Sequence, residues 1–201
     1  VRHKRASGGS RERILQAAIE EFAANGFAGA RIDRICRKAD INVRMLYHFF
    51  GSKRGLLKAV LSEIFMRRQV ELAASPKRLG ALLRLYLHGY SVDRRRVRLL
   101  EWEALEFGLG KAPYELTNFE VRQEVTRRRI EAIRELQKDG GAPRGIDAEL
   151  LYVMFVALTI YPMSFPQSVW VATGEDVDSE AFQARYASAL AKLARLLGGE
   201  K

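Results

Sequence analysis

The chain has one cysteine, Cys36, three histidines and five prolines in 201 residues. A lone cysteine excludes an internal disulfide and is compatible with a reducing compartment. His3, His48 and His88 fall on different predicted elements. No metal-ligand spacing, glycine-rich phosphate loop or nucleophile motif accompanies them. An enzyme is therefore not expected, and no cofactor is called for. Sparse prolines and sixteen glycines leave long uninterrupted stretches, which favours helices over many short strands. The first ten residues, VRHKRASGGS, lack an apolar segment of the secretory kind. Residues 150–174 lack charge altogether. Their strongly apolar part ends at Pro162, after about a dozen residues, where a membrane span needs roughly 20. It reads as a buried helix, and a cytoplasmic protein without membrane contact is expected.

What is present is apolar and basic. Hydrophobic residues make up 48%, enough for a sizeable core, and the formal net charge is +10. Residues 1–55 hold 12 Lys/Arg and 5 Asp/Glu, while the rest of the chain holds 22 and 19. The charge that would attract a polyanion sits in the first quarter. Arg2, Lys4 and Arg5 read either as an arm reaching a groove or as a solvated tail. Cys36 reads as a core residue rather than a redox sensor.

Nine helices are predicted. Ser10 can cap the first, whose apolar positions are Ile14, Ala17, Ala18 and Phe22. It stops at Asn25-Gly26, followed by Phe27. Short helices fit residues 31–38 and 43–49, separated by Ala39-Asp40-Ile41-Asn42, with Asn42 as the second cap. A long fourth helix fits Ser52 to Ala74. Five more are expected over 76–90, Asp93 to Phe107, Thr117 to Gly140, Asp147 to Tyr161, and Asp178 to Leu197.

The two short helices and their tight turn make a helix-turn-helix, with the second sized for the major groove. Leu46 and Phe50 point inward; Arg44, Tyr47 and His48 share the outer face. Arg44 can bond a guanine edge or a phosphate. Tyr47 and His48 can reach phosphates or a thymine methyl, although a tyrosine such as Tyr47, taken alone, is more often a half-buried packing residue. Lys53 opens the fourth helix, where a cation and free backbone N–H groups can meet a phosphate.

The run RERILQAAIEEFAANGFAGARIDRICRKADINVRMLYHFFGSKRGLLKAVL resembles the N-terminal domain of TetR/AcrR-type regulators over about residues 10–61. The match is carried by Leu46-Tyr47-His48-Phe49-Phe50, Ser52-Lys53 and Leu56-Leu57, with Ile14, Ala17-Ala18, Phe22, Gly26-Phe27, Ile35 and Ala39. The resemblance implies that Tyr47 and Lys53 touch the DNA backbone and that Arg44 and His48 help read bases. Arg31, Asn42, Arg44, Met45, Tyr47, His48 and Lys53 form the candidate DNA-contacting set. Arg31 stands where the family usually has a capping Ser or Thr, and Asp40 where it usually has Gly. Asp tolerates a left-handed backbone better than most residues.

The resemblance implies an all-α, two-domain architecture: a basic arm over 1–9, a DNA-binding domain over 10–55, and a ligand-binding and dimerisation domain over 56–201. The helix at 147–161 is apolar all round, so one side can face its own core and the other a second subunit. In the last helix Ala181, Ala184, Ala187, Ala191 and Ala194 allow close approach. Phe155, Phe182, Tyr186, Leu190 and Leu193 are the candidate homodimer contacts, with the subunit's own core as the alternative. Tyr86, Tyr90, Trp102, Phe107 and Phe155, with Tyr114, are candidate pocket residues for a small-molecule ligand. The arginine triplets at 94–96 and 127–129 read as solvated faces, with contact to an anionic ligand or a phosphate as the alternative. The expected function is a repressor released from double-stranded, palindromic DNA by a ligand; the alternative is an architectural or adaptor protein without sensing.

Overall fold

The computed structural model describes residues 2–71, 78–107 and 118–198. Ten α-helices occur among them: α1 Arg2–Gly29, α2 Ile32–Ala39, α3 Val43–Phe50, α4 Lys53–Glu71, α5 Leu79–Ser91, α6 Arg94–Phe107, α7 Phe119–Lys138, α8 Ala148–Ser164, α9 Pro166–Thr173 and α10 Glu180–Gly198. Tyr114, the Thr117 cap, and the side chains of Phe107, Arg2, Lys4 and Arg5 lie outside the described residues.

Two differences from the expected helices have local causes. The first concerns α1, which starts at Arg2 and not at Ser10. No proline interrupts residues 2–10, so Ser10 lies inside a helix and its hydroxyl takes a bond from Arg13 Nη2 (3.4 Å). The second is the tenth helix. α8 continues through Pro162 to Ser164, and Pro166 opens α9 at its first turn, where a missing N–H costs nothing. The two helices meet at 83°, and no single described helix is long and apolar enough to cross a membrane.

The chain divides into two compact units, residues 1–67 with 98–119 and residues 68–97 with 120–201. The division falls inside α4 and inside α6. In the first unit Ile14, Ala18 and Phe22 of α1 pack with Ile35, Leu46, Leu56 and Val60. Leu99 of α6 joins the same core. The α6 contribution continues at Trp102, whose indole N–H donates to Ala23 O (3.2 Å). Gly26 has φ 65°, and a Cβ there would sit 2.9 Å from the Trp102 ring. Glycine thus both permits the left-handed kink that ends the regular part of α1 and makes room for the indole. Asn118 adds a further tie, its amide donating to Ser62 Oγ (2.7 Å) and Lys58 O (3.2 Å).

In the second unit α5 packs against α10 and α8. Gly80 of α5 faces α10, where a Cβ would lie 3.5 Å from Ala191 Cα, an ordinary packing distance. Pro162 has no N–H for the carbonyl of Leu158, four residues earlier. Tyr186 of α10 fills that role: its hydroxyl donates to Leu158 O (2.7 Å). Burial pushes the Tyr186 phenol pKa upward.

Candidate nucleic-acid interface

Four hydrogen-bonded devices hold α2 and α3 in place. Arg31 precedes α2 with extended backbone and no side-chain cap. Its backbone N–H instead donates to Glu21 Oε1 of α1 (3.0 Å). At the other end of α2, Asp40 takes the left-handed conformation (φ 52°, ψ 57°), and Ile41 N–H returns to Cys36 O (3.1 Å). Arg13 Nε donates to Ala39 O (3.0 Å), which ties the turn to α1. Asn42 then caps α3, its Oδ1 accepting the Met45 N–H at 2.8 Å.

This geometry aims α3. Leu46 is fully buried, and Phe49 and Phe50 are half-buried. Arg44, Met45, Tyr47 and His48 are exposed, as are Arg31 and Asn42. Val43, not singled out from the sequence, is also exposed; its place just after the cap was the available signal. Tyr47 is 43% exposed, so its ring is not a core element. Lys53 lies half-buried against Phe27, with Nζ 4.9 Å from the ring centre.

The ion pairs sort the cations. Arg34 pairs with Glu21 (3.5 Å), Arg37 with Asp33 (3.7 Å) and Lys38 with Glu20. Among the described residues, Arg31 and Arg44 have no carboxylate partner. Both guanidiniums are therefore free to meet phosphate oxygens or base edges. Cys36 is buried beneath this surface, and burial, with Asp33 nearby, pushes its thiol pKa up. That disfavours the thiolate, the reactive form.

The α3–α4 corner is equally constrained. Gly51 has φ 71°, and Ser52 Oγ accepts the Gly55 N–H (2.9 Å). A Cβ on Gly55 would lie 2.1 Å from Phe50 O. Only glycine fits there without moving α3 against α4.

The remaining candidate residues separate. Tyr86, Tyr90 and Phe155 are buried together in the second unit. Trp102 belongs to the first unit, where its ring and N–H are already engaged. Phe155, Phe182 and Leu190 are buried in the subunit's own core, and Tyr186 and Leu193 are half-buried. The reason is that the apolar face of α10 packs on α5. The exposed apolar residues of α8 are instead Leu150, Val153, Met154, Ala157 and Tyr161. Their spacing of three and four residues lines one helical face.

Residues 14–60 match the family profile described as bacterial regulatory proteins, tetR family. Residues 84–195 match the profile of a tetracyclin repressor-like C-terminal domain. The HTH-type transcriptional repressor SCO4008 of Streptomyces coelicolor is 31% identical over 165 residues, covering 82% of this chain and 84% of that protein. The HTH-type transcriptional repressor NicS of Pseudomonas putida is 34% identical over 107 residues, half of each chain. In fold, the S. coelicolor protein SCO4942 superposes with a TM-score of 0.76 at 22% identity, covering 93% of this chain and 97% of its own. The exposed, capped third helix, the buried helix-turn-helix core and both matched regions lead to one assignment: the chain is a DNA-binding transcriptional regulator of the TetR family.

Proposed function

We propose that the protein is a homodimeric repressor, released from a palindromic operator by a small molecule that binds its second unit. The observation that carries the DNA-reading part is the outward face of α3. There Arg44 has no carboxylate among the described residues and Tyr47 is exposed. Arg44 and His48 address base edges; Tyr47, Lys53 and Arg31 address phosphates; Asn42 and Met45 set the start of the helix. The relatives SCO4008 and NicS are named repressors, which favours repression over activation. A cytoplasmic location follows from access to the chromosome.

The apolar face of α8 supports the dimer. Five apolar side chains in one stripe are more than scattered surface residues, and a second copy of the same face would cover them. A two-fold dimer matches half-sites about one helical turn apart. The buried tyrosines of α5 support ligand sensing, since aromatic interiors with a few polar groups are typical binding sites. The ligand can shift the equilibrium only through different affinities for the operator-bound and released states.

Fluorescence anisotropy of a labelled fragment from the gene's own upstream region tests this, titrated with protein across a salt series. Arg44→Ala and Tyr47→Ala are expected to abolish tight, salt-sensitive, saturable binding. Weak binding that ignores sequence and both substitutions would favour the architectural reading instead.

A further inference from the structure

Two arginines of the second unit bury guanidinium nitrogens without a carboxylate among the described residues. Arg96, on α6, is 7% exposed. Its Cζ lies 4.8 Å from the centre of the Tyr90 ring, and its Nη2 is buried with no hydrogen-bond partner among the described residues. Arg129, on α7, has its Cζ 5.8 Å from the centre of the Tyr86 ring. Its Nη1 donates to the Tyr152 hydroxyl (3.3 Å), while Nε and Nη2 are buried and have no partner among the described residues. Tyr86 and Tyr90 are one turn apart on α5, so both guanidiniums lie along one buried face of that helix.

Other cations of α7 are treated in the opposite way. Arg127 and Arg128 bond Glu124, Arg134 bonds Glu131 and Glu149, and Lys138 bonds Glu135. All four of these cations are exposed or half-exposed, where water would solvate them anyway. These outward cations have carboxylates, whereas the inward guanidiniums of Arg96 and Arg129 have none among the described residues. Arginine cannot escape this by losing its proton. The tyrosine rings attract the cation through their faces, but a guanidinium lying on a ring keeps its in-plane N–H edge available. That edge fits a two-oxygen anion.

We propose that Arg96 and Arg129 bind the anionic group of the effector, and that the effector is a small organic carboxylate with an apolar body. The apolar body follows from the other residues buried on α5 and α8, among them Leu83, Leu87, Leu151 and Phe155. The Tyr152 hydroxyl, already bonded to Arg129, positions that guanidinium. This inference rests on reading the second unit as a sensor.

The test is thermal unfolding of the full-length protein in benzoate or octanoate. The controls are benzamide and octanamide at equal ionic strength. At about ten times its Kd, a carboxylate is expected to raise Tm by roughly 3–5 °C, and its amide to leave it unchanged. Arg96→Met combined with Arg129→Met is expected to remove the shift. Equal effects of acid and amide, including none from either, overturn the proposal. So does a shift that survives in a folded double variant. The comparison on the unsubstituted chain decides the matter even where the double variant does not fold. Operator titrations in the same solutions separate the two readings. A carboxylate that stabilises without changing operator affinity keeps the anion site and overturns the sensor. An amide that releases the operator keeps the sensor and overturns the anion site.

Discussion

Asn42 accepts a hydrogen bond from the Met45 N–H, and that bond fixes where α3 begins. Removing it leaves a helix-start N–H without its partner. Asn42→Ala is expected to cost about 1 kcal/mol of stability, read as a lower midpoint in urea unfolding with an unchanged slope. The Asn42 cap was legible because the residue type, the turn before it and the apolar Leu46 after it all agree. Asp40 was legible in the same way, as a residue that tolerates the left-handed turn. Ser10 has equally good capping chemistry but is not used so, because the chain before it stays helical. Trp102 was illegible for a different reason. Its hydrogen-bond acceptor lies 79 residues away, and nothing in the local pattern of α6 reveals that its indole belongs with α1. Arg96 and Arg129 each sit in a run of three arginines. In sequence the inward members cannot be told from the solvated ones.

Between elements, the tightest constraint in the first unit is the corner from α3 to α4. There the carbonyl of Phe50 occupies the space a side chain would need at position 55. Gly55→Ala cannot be relieved by a rotamer change, since the obstacle is backbone. It is expected to shift α3 on its core and lower stability by about 1–3 kcal/mol. Operator affinity is expected to fall as well, because α3 would be misaligned. Circular dichroism melting and anisotropy titration on the same preparation check both effects. At this scale the sequence was most informative where helices are short and strongly punctuated. α2, α3 and their turn lie within a residue or so of their expected bounds. It was least informative about α9, where two prolines four residues apart suggest an end and instead accompany a continuation and a bend.

For the whole molecule, the question is which apolar surfaces find cover inside the chain and which do not. Periodicity marks an apolar face but does not say what will pack on it. The pattern makes Phe155, Phe182 and Leu190 candidates for a contact between subunits, yet all three are buried within one. Conversely, Val153 and Met154 remain 60% and 48% exposed. In the proposed dimer these two side chains are central. Val153→Glu with Met154→Glu is expected to yield a monomer by analytical ultracentrifugation with helix content unchanged. Each head must then hold its half-site alone, and operator affinity is expected to fall by roughly 100-fold or more. Unchanged mass and affinity would place the interface elsewhere.

The bond from Tyr186 to the carbonyl beneath Pro162 has a consequence for how this sequence can change over generations. A proline in the interior of α8 is tolerable because a hydroxyl on another helix stands in for the amide hydrogen it lacks. Should the proline revert to an ordinary residue, that carbonyl gains its own helical partner and the tyrosine loses its purpose. Should the tyrosine be lost first, the proline becomes a burden. The two positions are thus expected to be inherited as a couple, tyrosine with proline, and to drift apart only where the proline changes first.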